Sequence, residues 1–252
     1  MSQATSWDPE RYATNARFVA ELGAPLLDML APRPRELILD LGCGDGALTE
    51  RIAALDCTVI GIDSSLAQLQ AARIRGLQVA LMDGQEISFK QSFDAVFTNA
   101  ALHWMKRPDR VASGVWNILK PGGRFVGEFG GKGNVEKIHS ALYAALKKRA
   151  IDPAPIDPWY YPSTEEYAQL LTDTGFSIST IELIPRSTQL PGDMRAWLEL
   201  FGQAFIEAVK ESDRSALLDE LARSLEPGLL DADGHWFADY VRLRFAATKP
   251  AA

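Results

Sequence analysis

The stretch from Ile38 to Leu48 constrains this chain more than any other. An apolar run ends in Asp40, glycines alternate at positions 42, 44 and 46, and an amphipathic helical pattern begins. A strand that turns sharply into a helix needs residues free of Cβ clashes, and a ligand pressed on that turn needs the same freedom. The helix that follows offers unpaired N–H groups and the positive end of its dipole to a negative group. Asp40 stands two positions before the first glycine, close enough to receive a cationic group of the same ligand. The loop formed by Asp40, Gly42, Cys43, Gly44 and Gly46 suits a zwitterionic or mixed-charge ligand better than a bare phosphate.

Taken alone, the loop is ambiguous, because Gly42, Gly44 and Ala47 also satisfy the dinucleotide fingerprint G-x-G-x-x-A. The segments that follow narrow it. Thr58 to Asp63 is a β-branched run ending in an acid, and Asp63, followed by Ser64, is placed to hold a ribose diol. Val79 to Asp83 is a third strand ending in an acid, followed by Gly84, and Asp83 is placed to accept from an adenine amino group. Phe93 to Asn99 forms a fourth strand, with Asn99 at the topological centre, where ligands bind in open α/β sheets. His103 and Trp104 open the next loop, and Leu119 to Gly123 leads into a fifth strand.

This set resembles the class I S-adenosylmethionine-dependent methyltransferases. The residues that carry the likeness are Asp40 to Gly46, Gly61 to Asp63, Met82 and Asp83, Phe93 to Val96, Asn99 to Trp104 and Leu119 to Gly123. Within that superfamily the chain is most similar to the trans-aconitate 2-methyltransferase-like small-molecule group, through the Asn99–Trp104 box, the Glu128–Asn134 loop and the terminal Asp239–Arg244 strand. The resemblance implies S-adenosylmethionine as cofactor and a Rossmann-like, doubly wound, mostly parallel seven-stranded sheet whose last two strands pair. It also implies methyl transfer to a small organic molecule. An NAD-dependent oxidoreductase and a non-catalytic S-adenosylmethionine-binding module remain as alternatives.

Composition excludes other classes. A net charge of −7 argues against general nucleic-acid binding, which favours a basic face. No run approaches the roughly 18 apolar residues of a membrane span, and the amino terminus lacks the basic and apolar regions of a secretory signal. The two cysteines, Cys43 and Cys57, fall toward opposite ends of a parallel sheet, too far apart for a disulfide, so reduced thiols and a cytoplasmic address are expected. No His/Cys/Asp/Glu set has metal-ligand spacing, so no metal is expected.

Along the chain, residues 1–34 read as helices over the cofactor site, with Tyr12 placed to fold its ring toward the sulfonium. Residues 35–184 and 236–252 form the core. Ser65 to Gln68 reads as a capping box, and a further helix begins near Asn134. Residues 151–162 carry four prolines and three aromatics, an extended loop. Strand six spans 176–184, and residues 185–235 read as an inserted helical cap whose second helix ends at Pro227 and Gly228.

Substrate contacts are expected from Trp104 and Trp197, with Arg242 or Arg244 clamping a carboxylate. His103 is the first candidate for a general base, if one is needed. The enzymes that methylate amide or nucleobase nitrogens carry an Asn-Pro-Pro-Tyr box, which is missing here. The expected acceptor is therefore a small, anionic molecule, methylated on a carboxylate oxygen that is already ionised at neutral pH.

Overall fold

Alternating buried strands and amphipathic helices dictate a sheet covered on both faces. The computed structural model describes residues 24–90 and 92–251. The strands are β1 (Leu37–Leu41), β2 (Thr58–Asp63), β3 (Gln78–Leu81), β4 (Phe93–Asn99), β5 (Leu119–Gly130), β6 (Ser177–Gln189) and β7 (Phe237–Thr248). They form one seven-stranded sheet in the order β3-β2-β1-β4-β5-β7-β6. β1 to β5 run parallel, and β7 lies antiparallel between β5 and β6. The winding reverses between β1 and β4, which opens a crevice at their carboxyl ends.

Helix α1 (Ala24–Leu30) and helix α2 (Ala47–Ala53) cover one face. Leu26, Leu30 and Ile52 pack there on Ile38, Phe97 and Val126. Helices α3 (Leu66–Ile74), α4 (Pro108–Ile118), α5 (Glu136–Lys148) and α6 (Thr164–Thr174) follow in chain order. Val111 and Val115 of α4 and Leu171 of α6 join Leu39, Val96 and Phe125 on the opposite face. A third core lies beyond the carboxyl ends of the strands. There α7 (Met194–Phe201), α8 (Gln203–Glu207) and α9 (Glu211–Leu229) pack Trp197, Phe205 and Leu221 against Ile138 and Leu142 of α5. Among the described residues no helix is long and apolar enough to cross a membrane.

Several boundaries differ from those expected. β6 runs on to Gln189, so residues 185–189 belong to the sheet and not to the inserted helices. The ladder to β7 carries it there, from Pro185 opposite Val241 to Gln189 opposite Phe237. Pro185 is tolerated because β6 is an edge strand. Helix α9 continues through Pro227 to Leu229. Helix α5 starts at Glu136, because the Asn134 side chain is taken by the Val241 N–H. Only half of the capping box at Ser65 forms. Its hydroxyl accepts from Gln68 N, but its own N–H goes to Asp63 Oδ1 at 2.8 Å, leaving nothing for the Gln68 side chain to cap. Ser163 and Glu166, in contrast, make a complete reciprocal box. Both cysteines are free thiols.

Candidate active site

A cavity of about 560 Å³ occupies the crevice at the carboxyl ends of the strands. Its walls come from two sides of the sheet. β2 and β7 are four strands apart, roughly 19 Å at the usual strand spacing, so one end of the cavity is built by β1–β3 and the other by β5, β7 and the added helices.

At the first end the walls include Gly42, Gly44, Asp63, Ser64, Asp83 and Gly84. Gly44 has φ +54°, and a Cβ built there would meet nothing within 4 Å, so the loop leaves open space for a ligand. Gly42 is needed for another reason. Its Cβ would lie 2.3 Å from Ala101 Cβ, so it lets the β4 loop close over the β1 loop. Ala100, beside it, holds a left-handed backbone at φ 55°. The Asp63 carboxylate accepts Gly44 N at 3.0 Å and Ser65 N at 2.8 Å. Burial pushes its pKa up against these backbone donors. Asp83 sits at the exposed rim, its carboxylate engaged by Gln85 of its own turn. Gly84 makes room for Met105, whose Cε would lie 2.7 Å from an added Cβ.

Three members of the expected loop stand behind this wall. Asp40 is 2% exposed and accepts the Thr49 hydroxyl at 2.6 Å, so it does not meet a ligand directly. Burial raises its pKa to about 7, the Thr49 hydrogen bond opposing. The Cys43 thiol is pushed up by burial, then by the neighbouring Asp40 and Asp63 charges, and it nests in space left by Gly61. Gly46 caps α2 at φ 83° against Leu77 and Ala72. Tyr12 lies outside the described residues.

At the second end the walls include His103, Trp104, Asn134, Trp197, Tyr240 and Arg242, with Asn99 between the two ends. Arg242 is 7% exposed, lies 4.2 Å over the Tyr240 ring, and has no carboxylate partner among the described residues. Trp197 Nε1 donates to the Tyr240 hydroxyl at 2.7 Å. Asp157, the acid at this end, is already occupied by His139 Nε2 and the Tyr143 hydroxyl, each at 2.8 Å, and by Trp159 N at 2.9 Å.

Two expectations change here. Arg244 does not reach the cavity wall. It pairs with buried Glu128 at 2.7 Å, its direct neighbour on β5, and Arg186 grips the same carboxylate from farther along β6, where it lies opposite Tyr240. His103 is not arranged as a base. Its Nδ1 accepts Gly130 N at 3.3 Å, and burial, then Arg242, holds its pKa well below the ordinary histidine value. The neutral ring thus carries its proton on Nε2. Sequence reasoning missed Asn134, Tyr240 and Gly130 as site residues. The one signal was a polar residue between a glycine-rich turn and the first apolar helical position. Elsewhere, Asp231, Asp233 and His235 approach one another in the exposed turn before β7, where Asp231 serves as acceptor for the turn's own N–H groups.

The first end fits a cationic nucleoside. It carries carboxylates, an open glycine position, and Gln68 Oε1, buried without a partner among the described residues and ready for a ligand hydroxyl or amino group. Fold and cavity together define the nucleoside-cofactor class of doubly wound α/β proteins. Comparison with known proteins gives the family. Residues 39–127 match the methyltransferase domain model. An uncharacterised methyltransferase of Schizosaccharomyces pombe is 37% identical over 265 aligned positions, covering 96% of this chain and 98% of that one. The chain belongs to the S-adenosylmethionine-dependent methyltransferases. A trans-aconitate 2-methyltransferase of Deinococcus radiodurans is 36% identical over 126 positions, 47% of each chain, so this chain spans about half of that relative's length. The structure of a Haemonchus contortus phosphoethanolamine N-methyltransferase, solved with S-adenosylhomocysteine, shares the fold with a TM-score of 0.59 at 19% identity, covering 96% of this chain and 57% of that one.

Proposed function

We propose that the protein transfers a methyl group from S-adenosylmethionine to a carboxylate oxygen of a small, anionic acid. Arg242 carries this reading. A guanidinium in a cavity wall, almost wholly buried and without a carboxylate partner among the described residues, calls for an anion from the ligand. Names of relatives point the same way, since trans-aconitate is a small polycarboxylic acid. The nicotinamide reading loses its basis with the family assignment.

S-adenosylmethionine, when bound, supplies an electrophilic methyl carbon on a sulfonium: a carboxylate oxygen bonds to that carbon, the C–S bond breaks, and its electron pair stays on sulfur. Anion and cation become a neutral ester and a neutral thioether, and no proton moves. Asp63 and Ser64 would hold the ribose, Asp83 and Gly84 the adenine side, and Gly42, Gly44 and Asn99 the amino-acid portion. Asp40 and Cys43 support the loop from behind, and Gly46 sets its exit into α2. Arg242 orients the acceptor, while Trp104 and Trp197, with the helices inserted between β6 and β7, exclude water. Alignment of this kind contributes several kcal/mol without acid or base chemistry. A neutral His103 that already accepts a backbone N–H suits a reaction needing no base.

The test is Arg242→Met against wild type, with trans-aconitate as first acceptor in a panel of small carboxylic acids. The expected result is an acceptor KM raised by at least about 30-fold, the scale of a lost charged hydrogen bond, with S-adenosylhomocysteine affinity kept within about threefold. An unchanged KM, or an acceptor that proves neutral or cationic, contradicts the proposal.

A further inference from the structure

Gly130 ends β5 and lies opposite Arg242 in the ladder to β7. Its N–H donates to His103 Nδ1 at 3.3 Å. A Cβ built on it would lie 2.7 Å from Asn134 Nδ2 and 2.6 Å from Tyr161 Cε1, so the absent side chain leaves a cradle that all these groups surround. Asn134 is 2% exposed, and its Oδ1 accepts the Val241 N–H at 3.0 Å. A backbone N–H can only donate, so this bond fixes the amide orientation and turns its NH₂ away from Val241; one of its N–H groups donates to the Tyr161 hydroxyl, and the second is the one left for the cavity. The same rule applies to His103, where a backbone N–H on Nδ1 leaves Nε2–H as the free edge.

We propose that Asn134 and His103 are specificity-determining residues, locked by the Val241 and Gly130 N–H groups into presenting only donors to the cavity beside Arg242. The inference rests on the carboxylic-acid reading and sharpens it. Two neutral side chains that can ordinarily offer either polarity are each reduced to one. A carboxylate, which only accepts, satisfies all three groups together. An amine brings further donors and meets none of them, and a protonated acid or carboxamide leaves at least one donor facing another donor. The wall therefore discriminates against neutral and cationic isosteres as well as attracting anions.

Asn134→Asp isolates this effect. One carboxylate oxygen still receives the Val241 N–H, while the other replaces the NH₂ and turns a donor into a charged acceptor. In calorimetry on the S-adenosylhomocysteine-loaded full chain, the variant is expected to bind trans-aconitate at least about 30-fold more weakly than wild type. Its S-adenosylhomocysteine affinity is expected to stay within about threefold. A folded Asn134→Asp protein that binds the acid like wild type, while Arg242→Met loses it, overturns the cradle and leaves the acceptor reading standing. A wild-type protein that binds no acid of the panel overturns the acceptor reading and the cradle with it. Nitrogen NMR of the His103 ring needs no variant. A neutral Nε2–H tautomer at pH 7 is expected, and an Nδ1–H tautomer or a protonated ring refutes the lock.

Discussion

The two ends of the cavity are built in opposite ways. The glycine-loop end, proposed to hold the cofactor, is assembled from short local units at the strands' last residues: Gly42 and Gly44 after β1, Asp63 and Ser64 after β2, Asp83 and Gly84 after β3. The remote end, proposed to hold the acceptor, gathers residues from across the chain, with His103 after β4, Asn134 after β5, Trp197 in an inserted helix, and Tyr240 and Arg242 on β7. The first presents carboxylates and open backbone, while the second presents donors and aromatic faces. A general cofactor fits a wall fixed by backbone geometry. A particular acceptor needs side chains that change without disturbing that geometry.

The comparison breaks most sharply at Gly44. Gly44→Val would force a β-branched residue into a left-handed conformation and push its methyls into the cavity. Strain and occlusion together should weaken S-adenosylhomocysteine binding by at least about 1,000-fold, read by calorimetry on a variant whose circular dichroism is unchanged. Retained affinity would mean that the loop is a structural turn only.

A second contrast is in pH. At the remote end, burial, then Arg242, holds the His103 pKa well below the ordinary value, so its ring stays neutral around pH 7. Beneath the cofactor loop, Asp40 ionises in the folded protein only at about pH 7. Its folded pKa lies above its unfolded value near 3.9, so the folded state holds the extra proton between them. Stability conferred by protonated Asp40 is therefore complete below about pH 4 and lost as pH rises to about 7. The loss is on the order of 4 kcal/mol from this one group. Asp40→Asn keeps an acceptor for Thr49 and should remove that slope. Urea unfolding at pH 5 and pH 8 measures it, and parallel pH profiles for wild type and variant would contradict the buried, proton-holding Asp40.

A milder change sharpens the acceptor end. Trp197→Phe keeps the aromatic wall but removes the N–H that orients the Tyr240 hydroxyl under Arg242. The acceptor KM should rise by about threefold to tenfold, the scale of one neutral hydrogen bond, with S-adenosylhomocysteine affinity unchanged. Equal losses in both would place α7 in the cofactor end.

The same asymmetry explains what the sequence disclosed. The alternation of strands and helices and the glycine loop were legible because each depends on residues close together in the chain. Asp63 and Asp83 could be put at the carboxyl ends of their strands, on the cavity wall, for the same reason. Asp40 was misplaced by one layer. Its spacing from Gly42 is right, but Thr49, seven residues past that glycine, turns its carboxylate inward. Arg242 and Arg244 share a strand and a face, and no local pattern separates them. Only the position of Glu128 on β5 and Arg186 on β6 decides that Arg244 is structural and Arg242 is left for the cavity. His103 was chosen by residue type, and its role turns on a backbone N–H from 27 residues away.

The central claim is that the end of the cavity remote from the glycine loop is a receptor for anions. The most direct measurement needs only the wild-type protein, loaded with S-adenosylhomocysteine and titrated calorimetrically with trans-aconitate and other small polycarboxylic acids, each paired with its neutral methyl ester. The account predicts saturable binding of at least one acid and none of its ester at the same concentration. An ester that binds as tightly as its acid, or an amine that binds where every acid fails, would contradict it.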